Sequence, residues 1–415
     1  HIGLGFFLPL DIFYSRKVSE ALPSPWLGAV PILAGLKVIN KGSDWSFGGL
    51  GAYTGEFSDT LSSDTANIPD RGFCVARVNR SVFDNSDIGM IFSGTATGKD
   101  DYDLALGLDA AYRSGPSQLV IQSAMSDRNK KIGYALSSGG IYRSSNFIAV
   151  GNVISVADSF DVGDMGYVPW QGVTTVYFAA GPARYPKTGP LLRLYVEPGF
   201  MLSKYPESDQ WSKLLAFYIE PRFRNATGFN VSAQAGDMYE ADTNYLFRNI
   251  ETSFWSGLRK YVNLHFGFTY SHRYNYYRSA LYARNWIAGQ MDIWHWMSIM
   301  PISQLSLITY GDFVLEWDPV GELHAITPVW TPRIEYQLTA DIGISVYSEF
   351  VFETEAGRLS TAEIYSNRIG FLFSWNFLPK SWLYVAFNNL RQDSGSGLEL
   401  AERIAAVKVK YLLYF

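Results

Sequence analysis

Apolar and polar residues alternate with a period of two along most of this chain. The clearest case runs from Tyr102 to Tyr112. Leu104, Leu106, Leu108 and Ala110 share one face there, and Asp103, Gly107, Asp109 and Arg113 share the other. The same rhythm sets Val262, Leu264, Phe266, Phe268 and Tyr270 against Asn263, His265, Thr269, Ser271 and Arg273. It returns as Ile342, Ile344, Val346, Phe350 and Phe352 against Ser345, Tyr347, Glu349 and Glu353, and finally as Val407, Val409, Tyr411, Leu413 and Phe415 against Glu402, Lys408 and Lys410. Successive side chains on a strand point to opposite faces, so each segment predicts a strand with one apolar and one polar face. No helical period of similar length competes with this pattern.

The length of these segments points to a membrane. Tyr102 and Tyr112 close one apolar face at both ends. At ~3.3 Å per residue and a tilt of about 40°, they stand about 25 Å apart along the normal, the height of a lipid-facing band. In lipid the ladder groups of many strands are satisfied only if the sheet closes. The expected fold is therefore all-β: a transmembrane antiparallel up-and-down β-barrel whose polar faces line a lumen. Turn-rich breaks sort into two sets when the C-terminus is placed in the periplasm. Outer breaks fall at Glu56 to Arg71, Ser159 to Gln171, Lys204 to Gln210, Tyr239 to Tyr245, Arg273 to Ala280, Asp318 to His324, Glu355 to Ser360 and Arg391 to Glu399. Inner breaks fall at Asn40 to Asp44, Phe83 to Asn85, Arg113 to Pro116, Asn225 to Gly228, Arg259-Lys260, Thr339 to Asp341 and Leu378 to Ser381. The long breaks gather on the outer side, the asymmetry of short periplasmic turns and longer extracellular loops.

Segments counted from residue 28 onward number 21, and Asp11 to Val18 supplies one more, giving about 22 strands with 20 as the alternative. Residues 1–27 are thus a lead-in, either a first strand or a lumen plug built on Phe6 to Leu10, and residues 28–415 are the barrel.

Composition agrees. The chain has 27 Tyr, 27 Phe and 12 Trp, as expected where rings sit at two membrane interfaces. Hydrophobic residues make up 47%, yet mean hydropathy is −0.02, so apolar residues are interleaved rather than clustered. The most apolar run, Trp26 to Ile39, contains Pro31 and Lys37, and nothing approaches the uncharged stretch of about eighteen residues that a transmembrane helix needs. The single cysteine, Cys74, excludes an internal disulfide framework, and the absence of Cys-x-x-Cys-His excludes attached c-type haem. A net charge of −5 gives no polybasic footprint for nucleic acid. His1 reads as the start of a processed or partly ordered chain.

Candidate functional residues follow from the faces. Asp103, Asp109, Arg113, His265, Arg273, Glu349, Glu353, Lys408 and Lys410 are expected to line the lumen, with charges of mixed sign. The break Ser159 to Gln171 carries Gly163, Gly166 and Pro169, with Gly172 just beyond, so it can fold inward as a constriction loop bearing Asp164, Tyr167, Pro169 and Trp170. Val409, Tyr411, Leu413 and Phe415 form the assembly signal offered to the barrel-assembly machinery. Outer-membrane lipid and lipopolysaccharide are the expected surroundings, with a periplasmic or extracellular protein partner as a further expectation. Trp286, Trp294 and Trp296, beside Met291, Met297 and Met300, are the densest aromatic cluster. They read as interface girdle and lumen packing, with sugar stacking or electron relay as alternatives. His272 and His324 fall near outer breaks, and Asp318 and Glu322 lie close to His324, but no matched nucleophile or oxyanion donor accompanies them. His265 has no second ligand at metal spacing. Neither an enzyme, a metal nor a cofactor is expected.

Several stretches resemble a bacterial outer-membrane family in which a carbohydrate-binding family-nine-like domain precedes a barrel of unknown function. They are Phe13 to Val18 (FYSRKV), Ala34 to Lys37 with Trp45 to Gly48, Ala76 to Arg80 with Ser86 to Gly89, Val162 to Pro169, and Pro379 to Asn388. The likeness spans residues 11–415 in order. It departs at Trp170, where the family often has Arg, and the sugar-binding domain is absent from this chain. The resemblance implies an outer-membrane barrel and carries no activity of its own. Three functions are consistent with the sequence. The leading one is a channel passing solutes or glycan-related substrates. The second is a scaffold that anchors or sheathes partner proteins, including a cytochrome in a porin–cytochrome conduit. The third is a rim hydrolase.

Overall fold

The computed structural model describes residues 10–19, 30–61, 64–97, 101–168, 171–206, 208–240, 243–259, 261–275, 286–354 and 358–412. Its first strands are β1 (Ile32–Lys41), β2 (Trp45–Thr54), β3 (Phe57–Leu61), β4 (Asp64–Ile68), β5 (Arg71–Val82), β6 (Ser86–Ala96), β7 (Tyr102–Ser114) and β8 (Ser117–Arg128). They continue as β9 (Lys131–Arg143), β10 (Phe147–Val156), β11 (Thr174–Arg184), β12 (Leu191–Lys204), β13 (Ser212–Phe223), β14 (Thr227–Glu240) and β15 (Thr243–Arg259). The last are β16 (Val262–Asn275), β17 (Trp286–Ile302), β18 (Leu305–Trp317), β19 (Leu323–Gln337), β20 (Ile342–Glu353), β21 (Glu363–Leu378), β22 (Ser381–Asp393) and β23 (Leu398–Lys410). Among the described residues, 21 strands belong to one antiparallel sheet, and β3 and β4 form a separate hairpin inside the Glu56 to Arg71 break. No described helix is long and apolar enough to cross a membrane. Two compact units divide the chain: His1–Ala183 with Glu197–Leu215 and Met238–Asn244, and Arg184–Val196 with Ala216–Asp237 and Tyr245–Phe415.

In the first unit β1 pairs with β2, β2 with β5, and each strand from β5 to β10 with its successor. The turn 115–116 between β7 and β8 and the turn 144–146 between β9 and β10 are short, whereas 157–173 between β10 and β11 is long. Asn129 and Lys130, at φ 52° and 71°, make the two-residue turn from β8 to β9, the left-handed pair that matches strand twist in a tight hairpin. The two faces of this sheet are inverted relative to a soluble sandwich. Ile88, Met90 and Phe92 on β6, Leu104, Leu106 and Leu108 on β7, and Leu119, Ile121 and Met125 on β8 are all exposed. Ser93, Asp103, Ser126 and Ser137, on the opposite face, are 0–1% exposed.

In the second unit each strand from β15 to β22 pairs with its successor. The turns 303–304 and 379–380 are short, and 354–362 and 318–322 lie at the other strand ends. The register lines up cross-strand rows. Phe254, Phe266, His295, Gly311, Trp330 and Phe350 form one apolar row. Trp255, His265, Trp296, Tyr310 and Thr331 form the row on the other face.

The alternation therefore places the strands and their junctions correctly, and Trp286 to Ile302 resolves into one continuous strand. Two expectations are corrected. Asp11 to Val18 is not a sheet strand: Asp11 makes one bridge to Tyr167, and Ser15–Ser19 is a 3-10 helix. Its backbone groups are claimed by a loop and by sheet side chains, so no ladder forms. The main sheet accordingly has 21 strands, and among the described residues no pairing joins β1 to β23. The last strand ends at Lys410, where the Leu412 N–H turns to the Ser381 hydroxyl (3.1 Å).

Candidate functional site

The small, polar face of β5–β10 is covered by two pieces of chain, residues 10–19 and the loop 157–168. Leu10, Ile12, Phe160, Val162 and Val168 bury themselves on Ala105, Ala124 and Ala135. Val18 and Met165 do the same against Phe73 and Val75. Small residues on the strands leave the depth that these larger side chains fill. A Cβ at Gly107 would crowd the Ile12 side chain, and one at Gly133 would run into the Phe160 backbone. Full burial of Phe160 and Met165 stabilises the covered state by ~1.5–3 kcal/mol each.

The two pieces are also hydrogen-bonded to each other and to the sheet. Tyr167 N–H donates to the Asp11 carbonyl and Tyr14 N–H to the Met165 carbonyl, both at 2.7 Å. Ser93 Oγ donates to the Ile12 carbonyl (2.8 Å), and Leu10 N–H donates to Gln122 Oε1 (2.9 Å). A Cβ at Gly166 would strike the backbone of Asp11 and Ile12, so glycine is needed where the two pieces cross.

Charge fixes the loop's position. Arg128, the last residue of β8, donates from Nη1 to Asp161 Oδ2 and from Nη2 to Asp164 Oδ1, each at 2.9 Å. Arg71 at the start of β5 reaches Asp164 Oδ2 at 3.2 Å and Asp101 at 3.7 Å. Asp164 N–H donates to Asp103 Oδ2 (3.1 Å), and Asp161 N–H to Ser126 Oγ (3.0 Å). Two guanidinium groups thus grip two carboxylates of one loop, in bonds stronger than neutral ones. Beneath residues 10–13 lies a cavity of 210 Å³ lined by Arg77, Asp109 and Gln122, among others.

The expected lumen residues fall on the polar face but do not form one site. Asp103 is held by the loop. Asp109 pairs with Arg77 (2.8 Å), and Arg113 with Asp87 (2.8 Å). His265 sits edge-on between Trp255 (6.3 Å) and Trp294 (4.7 Å). Arg273 lies opposite Ala288, Glu349 opposite Arg368, Glu353 opposite Glu363, Lys408 opposite Tyr384 and Lys410 opposite Trp382. Of the constriction residues, Asp164 and Tyr167 lie where the loop meets the sheet and the N-terminal segment; Pro169 and Trp170 lie outside the described residues. Of the assembly signal, Val409 and Tyr411 are exposed, and Leu413 and Phe415 lie outside the described residues.

The histidines near the outer breaks have partners of their own. His324 stands edge-on to Trp286 (5.2 Å), and His272 Nδ1 lies 3.2 Å from the Leu246 carbonyl. Asp318 Oδ1 accepts from the Val320 and Glu322 N–H groups of its own turn. Among the described residues, no three His, Cys, Asp or Glu side chains converge as metal ligands. Arg71, Arg128 and Asp161 were not legible as site residues. Their only sequence signal is the Asp161–Gly163–Asp164 spacing in a glycine-bearing loop.

No known protein family matches this chain, and no curated protein is recognisably similar to it.

Proposed function

We propose that the sheet closes into an outer-membrane β-barrel that passes polar solutes, with residues 10–19 and the loop 157–168 as an internal plug that narrows it. The observation that carries this reading is the inverted sheet. Leu104, Leu106 and Leu108 face outward on the strand whose Asp103 is 1% exposed. In water that arrangement exposes what should be buried; with lipid outside and a polar interior, each face has its proper solvent. Charged and polar residues of mixed sign on the inner face suit hydrated solutes without a strong ion preference.

Planar-bilayer recording of the detergent-extracted protein tests the reading. Stepwise ohmic conductance is expected. A silent bilayer, with the protein shown to be inserted, would overturn the channel. One arrangement favours a second reading: the plug is latched by Arg71 and Arg128 at once, as suits a closed barrel that holds partner proteins. That scaffold would be silent in the bilayer and would copurify with other chains.

A further inference from the structure

We infer that the polar face of β15–β19 carries a binding platform for neutral, polyhydroxylated solutes of the oligosaccharide class. The inference rests on the barrel reading, which makes this face an interior one. Trp296 and Tyr310 are directly paired across β17 and β18, a spacing at which side chains touch. They are 38% and 39% exposed. Their row-mates Trp255 and His265, with Trp294 two residues along β17, form an edge-to-face series on the same face, with Arg222 over the Trp255 ring at 5.6 Å.

An interface girdle does not account for these rings. Girdle aromatics project toward lipid, whereas Trp296 and Tyr310 lie on the same face as buried Ala288, Gln290, Ser298 and Glu316. Two large apolar rings left open on a polar face lose hydration free energy unless something covers them. The pyranose ring supplies matching chemistry: its axial C–H face stacks on an aromatic face, and its hydroxyls reach outward.

Groups for those hydroxyls stand beside the rings. Tyr310 OH donates to Asp312 Oδ2 (3.5 Å), leaving its own oxygen free to accept. Arg333 and Glu335 follow Thr331 on the same face of β19, 3.5 Å apart, with side chains 44% and 45% exposed. A guanidinium donates to two adjacent hydroxyls and a carboxylate accepts from two, so the pair suits a vicinal diol. Phosphate or sulfate sugars would meet Glu335 and Asp312 unfavourably, which favours neutral chains.

Maltohexaose and cellohexaose, added to single channels, test the platform. Wild-type protein should show reversible current blocks in the millimolar range. Trp296→Ala should weaken blocking about tenfold, and Trp296→Phe should retain most of it. Channels that conduct but are never blocked by either sugar, or are blocked equally after Trp296→Ala and Tyr310→Ala, overturn the platform and leave the channel reading standing. If no conductance appears, the channel reading fails. Sugar-induced change in tryptophan fluorescence of the detergent-solubilised protein, lost in Trp296→Ala, then decides the platform alone; no change overturns it.

Discussion

Gly133 lies directly under Phe160: the missing side chain on β9 is what lets the loop 157–168 lie against the sheet, since a Cβ there would overlap the Phe160 backbone. Backbone cannot give way as the end of a side chain can. Gly133→Val is therefore expected to expel the loop rather than deform it. The sheet, whose pairing of β8 with β9 and β9 with β10 does not use that space, should still assemble. Single-channel conductance should rise in this variant, and the loop should become open to protease. Phe160→Ala should act in the same direction by removing ~3–5 kcal/mol of buried packing. Unchanged conductance and protection in both would show that the loop does not narrow the pore.

Arg128 is the second hold on the same loop. Replacing it with Gln removes two charge-assisted hydrogen bonds at once, of ~1.5–3 kcal/mol each, and leaves Asp161 and Asp164 near one another without that cation. Larger conductance, or frequent switching between two levels, is expected. Because part of the hold is electrostatic, wild-type switching should also become more frequent as salt is raised. Switching that is identical in Arg128→Gln and wild type at all salt concentrations would contradict a latch.

How much of this was legible in the sequence follows from which interactions are local. Leu104, Leu106 and Leu108 announce their face by spacing alone, and turn residues such as Pro379-Lys380 mark the junctions. Asp11 to Val18 was counted as a strand because single-chain barrels have even strand numbers, and only its partners show otherwise. The bridge from Asp11 goes to Tyr167, far along the chain. Arg71 and Asp164 likewise meet only after β5 to β10 have paired. Trp296 was visible only as part of an aromatic cluster. Its pairing with Tyr310 depends on the register of the hairpin around 303–304, which spacing leaves undetermined.

Phe268 and Thr269 are neighbours on β16 that face opposite ways, so they report which side meets lipid. Phe268 is exposed beside Ile293 of the next strand. Thr269 is paired with Glu251 on one side and Asp292 on the other. Phe268→Arg should cost up to ~2–4 kcal/mol if this point lies near the bilayer midplane. Thr269→Arg gains two acidic neighbours and should be nearly neutral. Urea titration of folding into lipid vesicles measures both. Equal losses from the two variants, or a larger loss from Thr269→Arg, would place lipid on the wrong face.

Closure of the proposed barrel gives the last prediction. β1 and β23 are the edges of the sheet, and both carry apolar stretches, with Leu36 and Val38 on one and Val407 and Val409 on the other exposed. An open edge in lipid leaves backbone groups unsatisfied, at several kcal/mol each. In a sheet of 21 strands, each antiparallel to the next, the first and last run in the same direction. If they close on each other, the closing pair is parallel, the one such pair in the sheet. Cysteines at 34, 36 or 38, combined in turn with cysteines at 405, 407 or 409 in a Cys74→Ser background, sample the registers of such a pair. At least one combination should form an intramolecular disulfide on oxidation, because neighbouring strands bring Cα atoms within the range a disulfide spans. If no combination closes although the protein is inserted and conducting, the two edges do not meet.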